Sequence, residues 1–387
     1  MNGKKIRKAV AATALAAAGV LLLFFAVSRI AEFRPSAVET TVFDTAAPDP
    51  LPDTITLLSW NIGYAGLGDD MDFFYDGGRK VRGERRRTEK NLMEIIAALQ
   101  SAGADIILLQ EVDRGSRRSY GLDEAACIEA GLPGYTASFA ANFKTWWVPI
   151  PLRSPMGRIH SGLLTLSRRS PLQSSRISYP SAFPFPQRMF DLKRCLLASQ
   201  FPTLSGDTLL IVNTHNTAYD TGGMRTEETR FLAAYLEERL REGIASVTGG
   251  DWNQYPPDYR PSTPELSNPN FVPEPVDSTL FGDGFRFVWD PSEPTLRYLD
   301  APFNVGKVIG PKARAKGLGY SALPEWKKAQ LPRTTLTDFF VVSDGVEVLS
   351  VETLPLDFRL SDHNPVRLKI ALHGLRGRAE TQAADSL

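Results

Sequence analysis

The stretch 361–365, Ser-Asp-His-Asn-Pro, stands directly before an apolar run, 366–371, near the C-terminal end of the chain. An aspartate and a histidine at the entry of a strand suit acid–base chemistry, because a neutral imidazole accepts a proton near neutral pH. The same five residues are also compatible with a plain turn before a strand. Their meaning therefore depends on which other polar residues stand at strand ends.

Short apolar runs predict most of the strands, and several are apolar on both faces, as in strands inside a layered domain. They are 55–60, 105–109, 162–166, 196–201, 208–213, 246–248, 338–342, 346–351 and 366–371. Helices are predicted over 84–100, where Leu92, Ile95, Ile96 and Leu99 share one face, and over 224–241. Many strands with few helices predict packed sheets with the helices outside, an α+β arrangement.

Carboxylates, amides and histidines stand at the ends of these runs. They are Asn61, Glu111, His215 with Asn216, Asp251 with Asn253, and Asp362 with His363. Because the ends of adjacent strands lie close together, we expect these side chains to converge on one rim. Oxygen ligands of this kind suit Mg²⁺ or Mn²⁺ rather than zinc, and a neutral histidine beside them could activate water.

The region 51–372 contains, in order, the motifs Ser-Trp-Asn, Leu-Gln-Glu-Val, Asn-Thr-His, Gly-Asp-Trp-Asn, Thr-Asp-Phe-Phe-Val-Val-Ser and Ser-Asp-His-Asn-Pro-Val. This set resembles the endonuclease/exonuclease/phosphatase superfamily, which includes deoxyribonuclease-I-like nucleases, neutral sphingomyelinases and inositol-polyphosphate 5-phosphatases. Each motif is weak alone, but six in order are specific. The resemblance implies an α+β fold: a four-layer sandwich of two packed, mostly antiparallel β-sheets flanked by helices. Thr337 and Trp252 depart from the usual residues, and neither removes a reacting group.

The resemblance also implies a cofactor and a base. Mg²⁺ (or Mn²⁺) would be held mainly by Glu111, with Asn61 and Asp362 near it. His363 would be the general base, oriented by the carboxylate of Asp338. Read singly, several of these residues are also ordinary turn or cap residues.

Further residues receive roles in the same way. Asp251 would position the attacking water, Asn253 would contact a phosphate oxygen, and His215 would stabilise charge in the transition state. His160, just before a strand, is a candidate group behind the site. Arg79 opens a basic run, 79–90, that either meets a phosphate-rich substrate or forms a solvated helix face.

These expectations favour a Mg²⁺-dependent phosphoester hydrolase, above all a phosphodiesterase that works by metal-assisted, in-line attack of water activated by His363. The substrate stays open between a phospholipid, a nucleic acid and a small phosphodiester, and no obligate protein partner is expected. A DNA or RNA nuclease of the same superfamily is the alternative within the class. A catalytically inactive binding module with the same fold is the alternative outside it.

The N-terminal segment points to a membrane. Four basic residues, Lys4, Lys5, Arg7 and Lys8, precede an apolar run, 9–27, that as a helix would span about 28 Å, close to a bilayer's hydrocarbon thickness. We interpret 1–30 as an anchor that places the catalytic domain outside the cytoplasm. A signal peptide cleaved near residues 26–28, giving a secreted or periplasmic protein, is the alternative. An exposed Trp146–Trp147 pair in a loop would suit a membrane interface, or would pack on the core.

The remaining organisation follows composition. A linker is expected over 31–50, the catalytic domain over 51–372 with an irregular Pro-rich insertion at 255–333, and a disordered tail over 373–387. With 44 Lys plus Arg against 44 Asp plus Glu, no global charge attracts nucleic acid or a bilayer. Cys127 and Cys195 form no zinc motif, and a disulfide between them stays open.

Overall fold

The computed structural model describes residues 3–43, 49–220, 223–261, 271–310, 312, 316 and 318–372. The helices are α1 (Gly3–Ile30), α2 (Arg85–Ala102), α3 (Glu124–Gly131), α4 (Met224–Arg241), α5 (Val305–Val308) and α6 (Glu325–Lys328). The strands are β1 (Val38–Val42), β2 (Thr54–Asn61), β3 (Ile106–Asp113), β4 (Thr136–Val148), β5 (Gly157–Ser167), β6 (Gln173–Ser178), β7 (Cys195–Pro202), β8 (Thr208–His215), β9 (Ala245–Asp251), β10 (Phe285–Val288), β11 (Leu296–Arg297), β12 (Thr334–Thr335), β13 (Asp338–Ser343), β14 (Glu347–Thr353) and β15 (Val366–Ala371). The predicted tail, 373–387, lies outside the described residues.

Two large sheets form the centre of the molecule. One has the strand order β1-β6-β7-β8-β9-β13-β10, and the other has the order β14-β15-β2-β3-β5-β4. Each sheet is antiparallel except at one central pair, β8 with β9 and β2 with β3. A parallel pair needs a crossover connection, and α4 and α2 supply it.

The layers follow from which side chains each face buries. Between the sheets, side chains such as Leu57 and Leu108 of one sheet pack with Ile211 and Val247 of the other. The outer face of β2 and β3 is covered by the apolar stripe of α2 that includes Leu92, and α4 covers the other sheet. The predicted α+β four-layer sandwich is confirmed.

Two regions differ from the sequence expectation. Val38–Val42, inside the predicted linker, forms an edge strand paired with β6. All five of its residues are exposed, so no buried face marks it in the sequence. The Trp146–Trp147 pair lies on strand β4 and not in a loop. The pairing of β4 with β5 shifts register twice, which disturbs the alternation that would reveal a strand.

The end of α1 contacts the body of the protein. Phe24 stacks on Phe190 with ring centroids 5.5 Å apart, and it lies 5.5 Å from Trp146. The indole of Trp146 donates a hydrogen bond to the hydroxyl of Ser28. Just beyond the helix, the Glu32 side chain is 4% exposed and lies among four cationic side chains. They are Arg29, Arg34, Arg188 and Lys193.

Candidate active site

The strand order brings the polar strand ends to one edge. Strands β2 and β3 are parallel, as are β8 and β9, so each pair ends on one side of its sheet. Asp338 begins β13 directly opposite Asp251, the last residue of β9. Strand β15 runs antiparallel to β2, so Asp362 and His363, just before it, lie beside Asn61. The predicted convergence on one rim is therefore present in the structure.

Asn61 is the residue at which the groups meet. Its amide nitrogen lies 3.3 Å from Glu111 Oε1, 3.0 Å from Asp251 Oδ2 and 3.5 Å from His363 Nε2. Its amide oxygen accepts a hydrogen bond from the backbone of Gly63. The side chains that meet here form the polar floor of a cavity, and they are Asn61, Glu111, His215, Asp251, Asn253, Asp362 and His363.

A β-bulge directs Glu111 into this cavity. Strand β3 pairs Leu109 with Leu164 and Val112 with Gly162, so two of its residues stand opposite one on β5. Glu111 takes a positive φ of 55° at this point. Bulges often re-aim a side chain next to an active site, and backbone held in a sparsely populated region is concentrated there. The motif Leu-Gln-Glu-Val does not reveal the bulge.

His363 and Asp338 form a hydrogen-bonded pair. The imidazole Nδ1 lies 2.8 Å from Asp338 Oδ2, so Nδ1–H donates and Nε2 is left facing the floor. Burial alone would lower the pKa of His363, but the carboxylates of Asp338, Asp251 and Asp362 raise it to about 10. The pair has the form of a base and its orienting carboxylate.

The histidine of β8 has the opposite environment. His215 Nε2 lies 3.4 Å from Asp251 Oδ2, and burial lowers the pKa of His215 well below its usual value, with Arg194 adding to the effect. A neutral His215 can donate a hydrogen bond but carries no charge. Asn253 donates its amide to the carbonyl of Asn216 and its backbone N–H to Asp251 Oδ1. It therefore holds the Asp251 side chain in place.

The floor holds an excess of carboxylates. Burial raises the pKa of Asp362 to about 6, against the attraction of His363 and together with the repulsion of Glu111. Burial also raises the pKa of Asp251. Oxygen donors that are buried, close together and mutually repelling fit a hard divalent cation, which would offset their charge. The residues present therefore fit the metal that the sequence predicts.

A second group of side chains, Asp251, Asp338 and His363, is also close enough to hold an ion. Their oxygen or nitrogen atoms lie within 4.8 Å of one another. In this group, however, Asp338 Oδ2 already accepts the 2.8 Å hydrogen bond from His363. One oxygen of the trio is therefore already engaged, whereas the Glu111 side chain is 25% exposed.

Buried amides support the floor from beneath. Gln110 Nε2 donates to Asn213 Oδ1 across the two sheets, at 2.8 Å, and Asn213 Nδ2 donates to the carbonyls of Leu109 and Leu164. Both amide side chains are buried. At Gly250 a Cβ would collide with the carbonyl oxygen of Thr214, so only glycine allows β9 to lie this close to β8 before Asp251.

Two predicted residues lie away from the floor. Within the described ranges, neither His160 nor Arg79 lines the cavity, whereas Ser161, the next residue on β5, does. Successive strand residues face opposite sides, so His160 packs edge-on against Phe139 instead. Within the basic run that Arg79 opens, four cations lie within 4.0 Å of a carboxylate, in the pairs Lys80–Asp72, Arg85–Glu89, Arg87–Asp69 and Lys90–Glu94.

Two arginines of the site were missed. Arg118 lines the cavity, lies 3.8 Å from Glu111 Oε2 and 3.0 Å from Asp113, and stacks over Tyr64. Arg297 is fully buried beside the cavity and donates to the carbonyls of Leu67 and Gly68. Neither residue belongs to one of the six motifs, so no sequence signal marks them.

The cavity above the floor has a volume of about 650 Å³, and one side of it is apolar. We call this side the apolar wall. It is formed by Phe74, Phe143, Val148, Ile150, Phe183 and Phe190. The wall residues come from the turn after Phe73, the end of β4, and loops 149–156 and 179–194. None of them belongs to a motif singled out for chemistry.

Comparison with known proteins agrees with this architecture. A sequence model described as the endonuclease/exonuclease/phosphatase family matches residues 58–363. The crystal structure of an endonuclease/exonuclease/phosphatase from Beutenbergia cavernae DSM 12333 is similar, with 17% identity, a TM-score of 0.50, and coverage of 84% of this chain and 72% of that one. No curated protein matches in sequence.

Two further solved structures are similar at lower scores. An endonuclease/exonuclease/phosphatase from Bacteroides vulgatus has 14% identity and a TM-score of 0.48, and covers 83% of this chain and 99% of that one. The human Nocturnin catalytic domain with a bound sulfate anion has 17% identity and a TM-score of 0.46, and the match covers 87% of this chain and 98% of that one. At such identities, likeness concerns the fold.

Proposed function

The chain belongs to the endonuclease/exonuclease/phosphatase family, whose members hydrolyse phosphoester bonds, and from this premise we propose that it is a divalent-metal-dependent phosphodiesterase acting outside the cytoplasm. The observation that carries the proposal is the meeting of a carboxylate, a second carboxylate and an imidazole at the one amide of Asn61. Such a set serves metal-assisted hydrolysis and has few purely structural uses, because burying it costs free energy.

In the proposed site Glu111 and Asp362 would hold Mg²⁺ or Mn²⁺ through their carboxylates, and Asn61 would contribute its amide oxygen, which in this structure accepts from Gly63. When bound, the cation would polarise a phosphoryl oxygen and offset the negative charge that develops on the phosphate. The fit of these residues supports a divalent cation with a preference for oxygen ligands. Arg118, 3.8 Å from Glu111, adds a fixed positive charge to the same side of the floor.

The proton path is proposed to run through His363. Its Nδ1–H is held by Asp338. A divalent cation on the floor would offset the carboxylate charge that raises the pKa of His363, so Nε2 of the neutral imidazole can take a proton from water as the water oxygen attacks phosphorus. The P–O bond to the leaving group then breaks, the departing alkoxide takes up a proton from solvent to leave as an alcohol, and His363 returns its proton to solvent. Asp251 accepts from Asn61 and orients the attacking water. His215, neutral and buried, donates to a phosphate oxygen, and Asn253 keeps Asp251 in position.

We propose that α1 stays on the mature protein as a membrane anchor. This helix is long enough and apolar enough to cross a bilayer, a criterion that a signal sequence also meets. The contacts of Phe24 and Ser28 with the body favour retention, because cleavage near residues 26–28 would remove the Phe24 ring from its place against Phe190. The basic residues before the apolar run favour a cytoplasmic N-terminus.

One experiment tests this function. The full chain would be assayed with bis(4-nitrophenyl) phosphate, 4-nitrophenyl phosphate and single-stranded DNA, in Mg²⁺, in Mn²⁺ and after EDTA treatment. We expect metal-dependent cleavage of the diester above the other two, and a melting temperature that rises with Mg²⁺ because binding stabilises the folded state. In Glu111→Gln this rise should be lost. Equal rates in EDTA would contradict the proposal, and faster DNA cleavage would favour a nuclease.

A further inference from the structure

We propose that the apolar wall is a binding subsite for the hydrocarbon part of a membrane-resident phosphodiester, which reaches the polar floor from the bilayer surface. The inference rests on the proposed function and adds the class of substrate. It is carried by a contact outside every motif: one residue, Phe190, lines the cavity and also stacks on Phe24 of the membrane helix, which lies outside the region matched by the family model.

The first step concerns the depth of that contact. The apolar run of α1 ends at Val27, and Phe24 lies three residues earlier, about 4–5 Å along the helix axis. Phe24 stacks on Phe190 with an interplanar angle of 10° and also contacts Trp146. If α1 crosses the bilayer, these two partners lie at the boundary between hydrocarbon and headgroups, where aromatic rings are favoured.

The second step concerns what fixes this arrangement. The Glu32 carboxylate, 4% exposed, lies 3.5 Å from Arg188 and 3.7 Å from Lys193. These two cations flank Phe190 in the sequence, so the segment after the membrane helix is held against the loop that supplies the wall. Trp146 holds the last turn of the helix through Ser28 at 3.1 Å. The anchor is thus docked beside the cavity.

The third step concerns the mouth of the cavity. Two large apolar side chains close in sequence to wall residues are not covered by the protein: Leu152 is 87% exposed and Phe185 is 62% exposed. Ile150, a wall residue, is itself 43% exposed. Both loops that carry them also supply the wall, through Ile150 and Phe183. Exposed apolar groups beside a membrane helix suit insertion at the bilayer surface.

The fourth step concerns the ligand. A single-stranded nucleic acid requires a basic groove that follows its backbone. The side of the cavity toward the anchor instead offers the apolar wall, with Gln187, Asp191 and Arg194 as its polar lining residues. In the basic run at 79–90, Lys80, Arg85, Arg87 and Lys90 are paired with carboxylates. A volume of about 650 Å³ suits a phosphodiester and part of one chain. An amphiphile would place its phosphate on the floor, its first methylenes on the wall, and the rest of its chain in the bilayer.

The test uses two probes with the same scissile bond, 4-nitrophenyl methyl phosphate and 4-nitrophenyl dodecyl phosphate. The full chain would be reconstituted in phosphatidylcholine vesicles with Mg²⁺. We expect kcat/KM for the dodecyl ester to exceed that for the methyl ester by about tenfold or more, because burial of several methylenes favours binding. Equal kcat/KM values for the two esters would overturn the inference. If neither ester were hydrolysed, the proposed function on which the inference rests would be refuted.

Variants of wall residues distinguish binding of the dodecyl chain at the wall from simple partitioning of the ester into the vesicles. Phe183→Ser and Ile150→Ser should each lower the dodecyl-to-methyl ratio by about threefold to tenfold, although the ester partitions into the vesicles as before. The matched control is Leu349→Ser, which removes an exposed leucine, 46% exposed, on strand β14, away from the cavity. It should leave the ratio unchanged. A ratio that is the same in the wall variants as in the wild type would assign the preference to partitioning alone and overturn the subsite.

Discussion

The polar floor and the apolar wall border the same cavity but are built in different ways. The floor is made of side chains at the ends of regular strands, as with Asn61 on β2 and Asp251 on β9, and hydrogen bonds between them fix their positions. The wall is made largely of loop residues, such as Ile150 and Phe183, that meet through apolar contact. In the function proposed here, the floor would determine which bond is cut, and the wall would determine which molecules present that bond.

The two regions also tolerate change differently. A floor atom has a partner within hydrogen-bonding distance and a defined direction, so displacement of about 1 Å weakens catalysis severely. Contacts in the wall are not directional, and apolar residues of similar size can replace one another at small cost. Substitutions in the floor should therefore reduce turnover of every substrate, and substitutions in the wall should change the preference among substrates.

The largest effect is expected from His363→Ala. Removal of the imidazole takes away the group proposed to accept the proton of water, and kcat for bis(4-nitrophenyl) phosphate should fall about 10²- to 10⁴-fold. The methyl and dodecyl esters should lose activity by the same factor, because both use the floor. An unchanged melting temperature in Mg²⁺ would show that the fold persists. Wild-type rates in this variant would remove His363 from the mechanism and the floor from its central role.

A smaller effect is expected from Asp338→Asn. The carboxylate that accepts from Nδ1–H would be replaced by an amide, so the ring would be less well oriented, and kcat should fall by about ten- to a hundredfold while the base remains. Asp338 also raises the pKa of His363. Its loss lowers that pKa, so His363 becomes deprotonated at lower pH, and the acidic limb of the pH–rate profile should move to lower pH. A shift to higher pH, or none, would contradict the assigned pairing.

The same contrast explains what the sequence could predict. Asn61, Asp251 and His363 were found because each stands at the end of an apolar run, and strand ends gather at one edge of a sheet. His160 also stood near a strand, but successive residues face opposite sides, and the bulge that directs Glu111 inward leaves no mark in the motif. The fold class follows from periodicity, whereas the register shifts that decide individual directions depend on tertiary packing.

The wall could not be predicted for a related reason. Phe190 and Ile150 come from segments without periodicity, and they meet only because β4, β5 and the loops between strands fold over the floor. The sequence raised Trp146 as a membrane-interface candidate, and the structure adds that this side chain contacts the end of α1. Apolar loop residues resemble ordinary core residues until their neighbours are known.

The smallest effect should come from Glu32→Gln, which changes neither floor nor wall directly. The carboxylate holds the chain after α1 against the wall loop through Arg188 and Lys193, so its loss should loosen the docking of the anchor. We expect kcat/KM for the dodecyl ester in vesicles to fall about two- to fivefold, with faster hydrogen exchange in segment 183–193. The methyl ester, which does not need the wall, should be hydrolysed as before.

The matched control is Glu352→Gln, which removes the exposed ion pair with Arg367 between β14 and β15 and should change the hydrolysis of neither ester. If Glu32→Gln slowed both esters equally, docking of the anchor would support the floor, and the division between the two regions would fail.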